Sequence, residues 1–106
     1  MRFQPVALLF CVLALHSQTP LGTVSGLAVD ASGGTVTAAS VTLTNNDTGV
    51  RRTAATNTSG AYAFPDLPPG TYRLLADAKG FRPLETRAFA VEAYRTVRQD
   101  LKFQTS

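Results

Sequence analysis

Five clusters of turn-forming residues cut this chain into short pieces: Asp30-Ala31-Ser32-Gly33-Gly34, Asn45-Asn46-Asp47-Thr48-Gly49, Asn57-Thr58-Ser59-Gly60, Leu67-Pro68-Pro69-Gly70 and Lys79-Gly80. The runs between them are six to ten residues long. That is shorter than an average helix and the right length for strands. Within the runs apolar and polar residues alternate with period two, and none shows the period of a helix. The fourteen threonines and nine valines add β-branched side chains that suit a pleated, half-buried surface. About seven short strands at regular intervals predict an all-β fold, a β-sandwich in preference to a barrel.

Several strands can be placed with their faces. Thr23 to Val29 reads as the first. Ser40 to Thr44 follows, with Val41 and Leu43 inward and Thr42 and Thr44 outward. The Asn45–Gly49 cluster tolerates positive φ and returns the chain into Val50 to Thr56 as a hairpin partner. Ala61 to Phe64 puts Tyr62 and Phe64 on one face and should stop at Pro65, which has no N–H to give a ladder. Leu67-Pro68-Pro69-Gly70 is a rigid corner in which Gly70 is expected to take a conformation closed to other residues. Thr71 to Ala78 directs Tyr72, Leu74 and Ala76 one way and Arg73, Leu75 and Asp77 the other. Phe81 to Arg87 and Ala88 to Val91 form strands bulged around Pro83. Thr96 to Phe103 closes a last hairpin, with Val97, Leu101 and Phe103 inward.

The amino terminus has a different character. Arg2 precedes Val6 to Leu15, ten apolar residues without interruption, in the layout of a secretory signal. The run is too short to span a bilayer as a helix. A cut after Ser17 makes residues 1–17 the signal peptide and 18–21 a short linker to a domain over 22–104. A buried apolar element of the fold is the competing reading, opposed by the polar break at Gln18-Thr19-Pro20. Lipid attachment at Cys11 is opposed by the bulk of Phe10. The only Cys (Cys11), the only His (His16) and the only Met (Met1) lie in this stretch, and the chain has no Trp. The remainder then lacks thiol and imidazole, so neither a Ser-His-Asp nor a Cys-His device nor a histidine zinc site can be built from it. No cofactor and no metal is expected. Its acids are spaced well apart; a loop-end pairing of Asp30 with Asp66 or Asp77, for acid–base work or calcium, competes with ordinary turn-stabilising roles for Asp30, Asp47 and Asp66. Basic residues are spread along the chain and interleaved with acids, unlike a nucleic-acid footprint.

The stretch Asn57-Thr58-Ser59-Gly60-Ala61-Tyr62-Ala63-Phe64-Pro65-Asp66-Leu67-Pro68-Pro69-Gly70-Thr71-Tyr72-Arg73-Leu74, continuing to Ala78-Lys79-Gly80-Phe81, resembles the signature of carboxypeptidase regulatory-like domains. It holds, in order, a Gly-x-Tyr-x-Phe strand, a Leu-Pro-Pro-Gly corner, a Tyr-containing strand and an Ala-x-Gly-Phe turn. Gly22-Thr23-Val24-Ser25-Gly26 with Ala39-Ser40-Val41-Thr42-Leu43 resembles the family's opening strand pair. Tyr94 stands where the family often has a turn Gly, and Gln99 where it usually has an apolar residue. The resemblance implies a single seven-stranded, prealbumin-like β-sandwich of the broad immunoglobulin-like architecture, without the Cys-Trp-Cys set of antibody domains, and with no catalytic residues of its own.

The same resemblance sets the functional expectation. Such domains stand behind signal peptides at the front of bacterial TonB-dependent outer-membrane receptors. The chain is therefore expected to be a non-enzymatic, monomeric binding or spacer module that is exported to the periplasm, the outer membrane or the exterior. It would be either free-standing or the front end of a truncated receptor, with no transmembrane segment after the signal. Its partner would be a protein or a glycan. Tyr94 is the candidate ligand contact, because sugars stack on exposed aromatic rings; Tyr62, Phe64, Tyr72 and Phe81 are better read as core. Asn46-Asp47-Thr48 and Asn57-Thr58-Ser59 match the glycosylation pattern but read as polar turns in a bacterial setting. Arg51-Arg52-Thr53 lies on a segment that, at a sheet edge, could accept a partner's strand.

Overall fold

The computed structural model describes residues 20–106, so the expected signal peptide, with Cys11 and His16, lies outside the described residues. The described chain is all-β. Its strands are β1 (Gly22–Val29), β2 (Ser40–Asn45), β3 (Arg51–Ala55), β4 (Ala61–Leu67), β5 (Gly70–Asp77), β6 (Leu84–Glu85), β7 (Phe89–Val91), β8 (Thr96–Arg98) and β9 (Leu101–Lys102). One sheet runs β4-β1-β8, with β9 also on β1; the other runs β3-β2-β5-β6, with β7 also on β5. β8 and β9 pair with successive stretches of β1, both in parallel, and β6 and β7 pair with successive stretches of β5. The nine segments therefore occupy seven strand positions. Among the described residues no helix is long and apolar enough to cross a membrane.

Alternation builds the core. β1 buries every second residue from Gly22, and β5 buries Tyr72, Leu74 and Ala76 while leaving Leu75 exposed. From the other strands Val41, Leu43, Phe64, Leu67, Val91, Leu101 and Phe103 meet these between the sheets. Two threonines, Thr44 and Thr56, are buried as well; the Thr56 hydroxyl donates to the Val36 carbonyl (2.7 Å) and accepts from the Ala39 amide (2.9 Å), so that buried group is satisfied on both sides.

Several expectations need correction. Thr44 is buried rather than outward; β2 is paired on both flanks, and Thr44 sits in register between Arg51 and Arg73, whose long stems flank it. β4 does not stop at Pro65 but runs to Leu67. The register shifts between Gly22 and Val24, so Pro65 and Asp66 together oppose Thr23, and this bulge on an edge strand needs no amide from the proline. The left-handed residue near the corner is Asp66 (φ 59°), not Gly70. β7 and β8 do not form the expected last hairpin: β7 belongs to the β5 sheet and β8 to the β1 sheet, so the Glu92–Arg95 turn crosses from one layer to the other. The opening pair β1 and β2 is likewise divided between the layers.

Gln99 breaks β8 from β9. Its amide donates to the Ser25 carbonyl (2.9 Å) and its carbonyl accepts the Tyr62 hydroxyl. Gly26 lies beneath, where any Cβ would run into the Gln99 carbonyl oxygen. Asp100 then accepts from the Leu27 amide (3.0 Å) and from Arg98 Nε (3.0 Å). A polar residue thus stands at a strand position because its backbone and its neighbour's carboxylate hold the junction.

Candidate functional site

The end of the sandwich where β1 and β3 begin and β2 and β4 finish gathers three connections: the β2–β3 turn, the Pro68-Pro69 corner and the Glu92–Arg95 turn. Tyr94 lies on the third. It is 72% exposed and holds a φ of 61°, with its amide donating to the Leu21 carbonyl (2.9 Å). Among the described residues its ring has no aromatic or hydrogen-bonding partner. Where the resemblance implies a turn Gly, the backbone is left-handed and the side chain is an aromatic ring largely in solvent.

On the opposite flank of the same end, between the β2–β3 turn and the end of β4, a half-open cleft encloses about 390 Å³. Buried Leu43, Leu67 and Tyr72 form its floor, and Val50, Pro68 and Pro69 its exposed walls. Its surface is almost wholly apolar. Asn45 shapes one side: its Oδ1 accepts the amides of Asp47 (2.8 Å) and Thr48 (3.1 Å), closing the turn that carries Val50. Tyr72 shapes the other, its hydroxyl donating to the Pro68 carbonyl (2.6 Å). Asp47 and Asp66 stand at the rim, with carboxylates that make no hydrogen bond or ion pair among the described residues. Arg52 reaches across from the other sheet, donating from Nη1 to the Pro65 carbonyl (2.7 Å) and standing 5.8 Å from the Phe64 ring centre. Tyr94 does not line the cleft.

The core assignments for Tyr62, Phe64 and Tyr72 hold, and both buried tyrosine hydroxyls reach backbone carbonyls. Burial, and then the charge of Asp100, push the Tyr62 hydroxyl well above its ordinary range, with Arg98 acting the other way. Phe81 is half-buried, its ring 5.5 Å from that of Phe103. Asp30 is occupied by its own turn: Oδ1 accepts from the Ser32 hydroxyl (2.7 Å), the Ser32 amide (2.9 Å) and the Gly34 amide (2.9 Å), which holds its carboxyl below the usual value. Asp47 and Asp66 do not cap turns as expected; Asn45 and Asn57 do so instead. Among the described residues no group of three or more His, Cys, Asp or Glu side chains comes together to hold a metal.

The cleft itself was missed in the sequence. Its one local signal was Val50, an apolar residue left 63% exposed between Gly49 and Arg51. The rest of the lining comes from segments about twenty residues apart that only the sandwich brings together.

The fold is shared with proteins of varied description. The minor pilin GBS52 of Streptococcus agalactiae matches with a TM-score of 0.69 at 18% identity, over 83% of this chain and 46% of the pilin. The catechol 1,2-dioxygenase of Acinetobacter radioresistens matches at 0.65 and 13%, over 81% of this chain and 53% of the enzyme. A structure described as a putative carbohydrate binding protein of Bacteroides uniformis matches at 0.64 and 20%, over 79% of this chain and 41% of that one. This chain thus spans about half the length of these proteins or less, and at such identities the likeness is one of fold. Among curated proteins, none matches this chain in sequence. A family model does match, that of the carboxypeptidase regulatory-like domain, over residues 23–104. It takes in every strand from β1 to β9, and the chain belongs to the carboxypeptidase regulatory-like domain family.

Proposed function

We propose that this chain is an exported, non-catalytic binding module of the bacterial cell envelope, with residues 1–17 as its export signal, residues 18–21 as a short linker and residues 22–104 as the working domain. The family match over residues 23–104 carries the reading. It is supported by the chemistry of residues 20–106, which include neither His nor Cys and offer exposed apolar and aromatic surface at one end. A place at the front of a TonB-dependent receptor rests on the resemblance noted in the sequence. An in-frame plug and barrel in the genomic sequence downstream would support that placement.

Carbohydrate binding is the second reading, favoured by the exposed ring of Tyr94. A glycan array probed with the chain and with Tyr94→Ala separates the two. Micromolar binding that the substitution abolishes establishes the carbohydrate reading; silence across the array leaves a protein contact. Hydrolase activity that copurifies with the chain through successive columns and is absent from a mock preparation would overturn the non-catalytic assignment.

A further inference from the structure

We infer that the free edge of β3 accepts an extended segment of a partner protein as an added strand, with an apolar side chain of that segment lodged in the cleft beside Val50. This rests on the binding-module reading and names its surface and partner class. The sandwich has four lateral edges, and three are interrupted. β4 is bulged at Pro65-Asp66, β6 and β7 are separated by three residues, and β8 and β9 by two. Such interruptions are how folded proteins keep sheet edges from pairing. β3 has none: it is in unbroken register with β2 from Thr44↔Arg51 to Ser40↔Ala55 and contains neither Pro nor Gly.

The hydrogen-bond phase of that edge follows from its two ends. Asn45 donates to the Val50 carbonyl and Thr56 to the Ala39 carbonyl, so in the alternation of an antiparallel ladder Val50, Arg52, Ala54 and Thr56 bond β2. The amides and carbonyls of Arg51, Thr53 and Ala55 face outward, six groups with no protein partner among the described residues. Side chains opposite each other across a ladder share a face. Arg52 and Ala54 pair with the buried Leu43 and Val41, so a segment residue placed opposite Val50 or Arg52 points between the layers, toward the cleft floor of Leu43, Leu67 and Tyr72. Main-chain bonds then supply affinity and the cleft supplies selectivity, as in other strand-addition complexes.

Charge defines the segment's outer face. Arg51 is exposed there and makes no ion pair among the described residues, so an acidic residue opposite it is favoured. A second copy of β3 is a poor occupant. Antiparallel pairing about Thr53 would set Ala54 opposite Arg52 and the buried Thr56 opposite Val50, leaving the cleft unfilled.

The test titrates the 15N-labelled chain with the blocked heptapeptide acetyl-Thr-Val-Glu-Val-Thr-Val-Glu-amide. Amide exchange at Arg51, Thr53 and Ala55 should slow by roughly tenfold or more while Arg52 and Ala54 stay as they were. Thr53→Pro, which removes an outward amide and the 3.3 Å hydrogen bond between the Thr53 and Thr42 hydroxyls but no backbone bond to β2, should abolish binding with the fold retained by circular dichroism; Val50→Asp should weaken it by about tenfold. Shifts at the cleft without protection of the three odd-numbered amides, no binding at millimolar peptide, or sedimentation showing that the edge is already closed by self-association would each overturn the proposal. A silent peptide beside a positive glycan array would sink strand addition alone, whereas confirmed hydrolase activity would sink the module reading whatever the amides show.

Discussion

Tyr94 holds a φ of 61° on a turn whose other contacts are backbone hydrogen bonds, a conformation that disfavours residues with a Cβ by about 1–2 kcal/mol. Tyr94→Gly should therefore stabilise the domain by about 1 kcal/mol in urea unfolding, while any glycan affinity carried by the ring disappears. Tyr62 acts in the opposite sense. Tyr62→Phe leaves the Gln99 carbonyl without its donor at the junction of β8 and β9 and should lower stability by about 1 kcal/mol in the same measurement. Asp30, whose carboxyl is held below its usual 3.8 by the Ser32 hydroxyl and then the Gly34 amide, stabilises the fold while ionised. That contribution is complete above the unfolded-chain value and is lost as pH falls through the lower folded one. The melting-temperature gap between the native chain and Asp30→Asn should therefore close as pH is taken below 3.8. Exposure of Tyr94 and burial of Tyr62 were legible in the sequence through the family resemblance, which implies a turn at the first and a core position at the second. The contacts of Gln99 with Ser25 and Tyr62 and of Asp100 with Leu27 were not, because those partners come from β1 and β4, more than thirty residues away.

Strand order gives the same substitution different consequences. β2 is paired on both flanks and β3 on one. Thr42→Pro removes a ladder bond from an interior strand and should leave the chain unfolded, whereas Thr53→Pro on the edge should keep a cooperative melt, both followed by circular dichroism. The positions of β1, β2 and β5 follow from their alternation, and that of β3 from the turn before it, to within a residue or two. β4 runs three residues past the end that its proline implies, because the rule that proline ends a strand assumes an interior ladder. Pro65 sits at a bulge on an edge, and edge or interior is a property of the sheet rather than of the segment.

For the molecule as a whole, the decisive contact is the most distant in sequence. β8 and β9 run parallel along β1, joining the two ends of the domain, and they bring Leu101 and Phe103 into full burial. Deleting residues 96–106 strips one flank of β1 and should abolish the dispersed amide spectrum of the folded chain. Closure over such a separation also makes folding slow for the chain's size, in the range of milliseconds to seconds.

Alternation, turn chemistry and composition in the sequence by themselves determined the β class, most strand positions and the reagent-poor character of the domain, because these depend on local propensity and on which side chains are available, while the family resemblance in the sequence implied the tyrosine core. Only the tertiary structure decided which strand is an edge, which carbonyl receives which hydroxyl, that the last strands close onto the first, and that Val50, Leu67 and Tyr72 enclose a cleft at the end of an open ladder. Those are pairings between distant segments, settled by how two sheets stack and which backbone groups the stacking leaves unpaired.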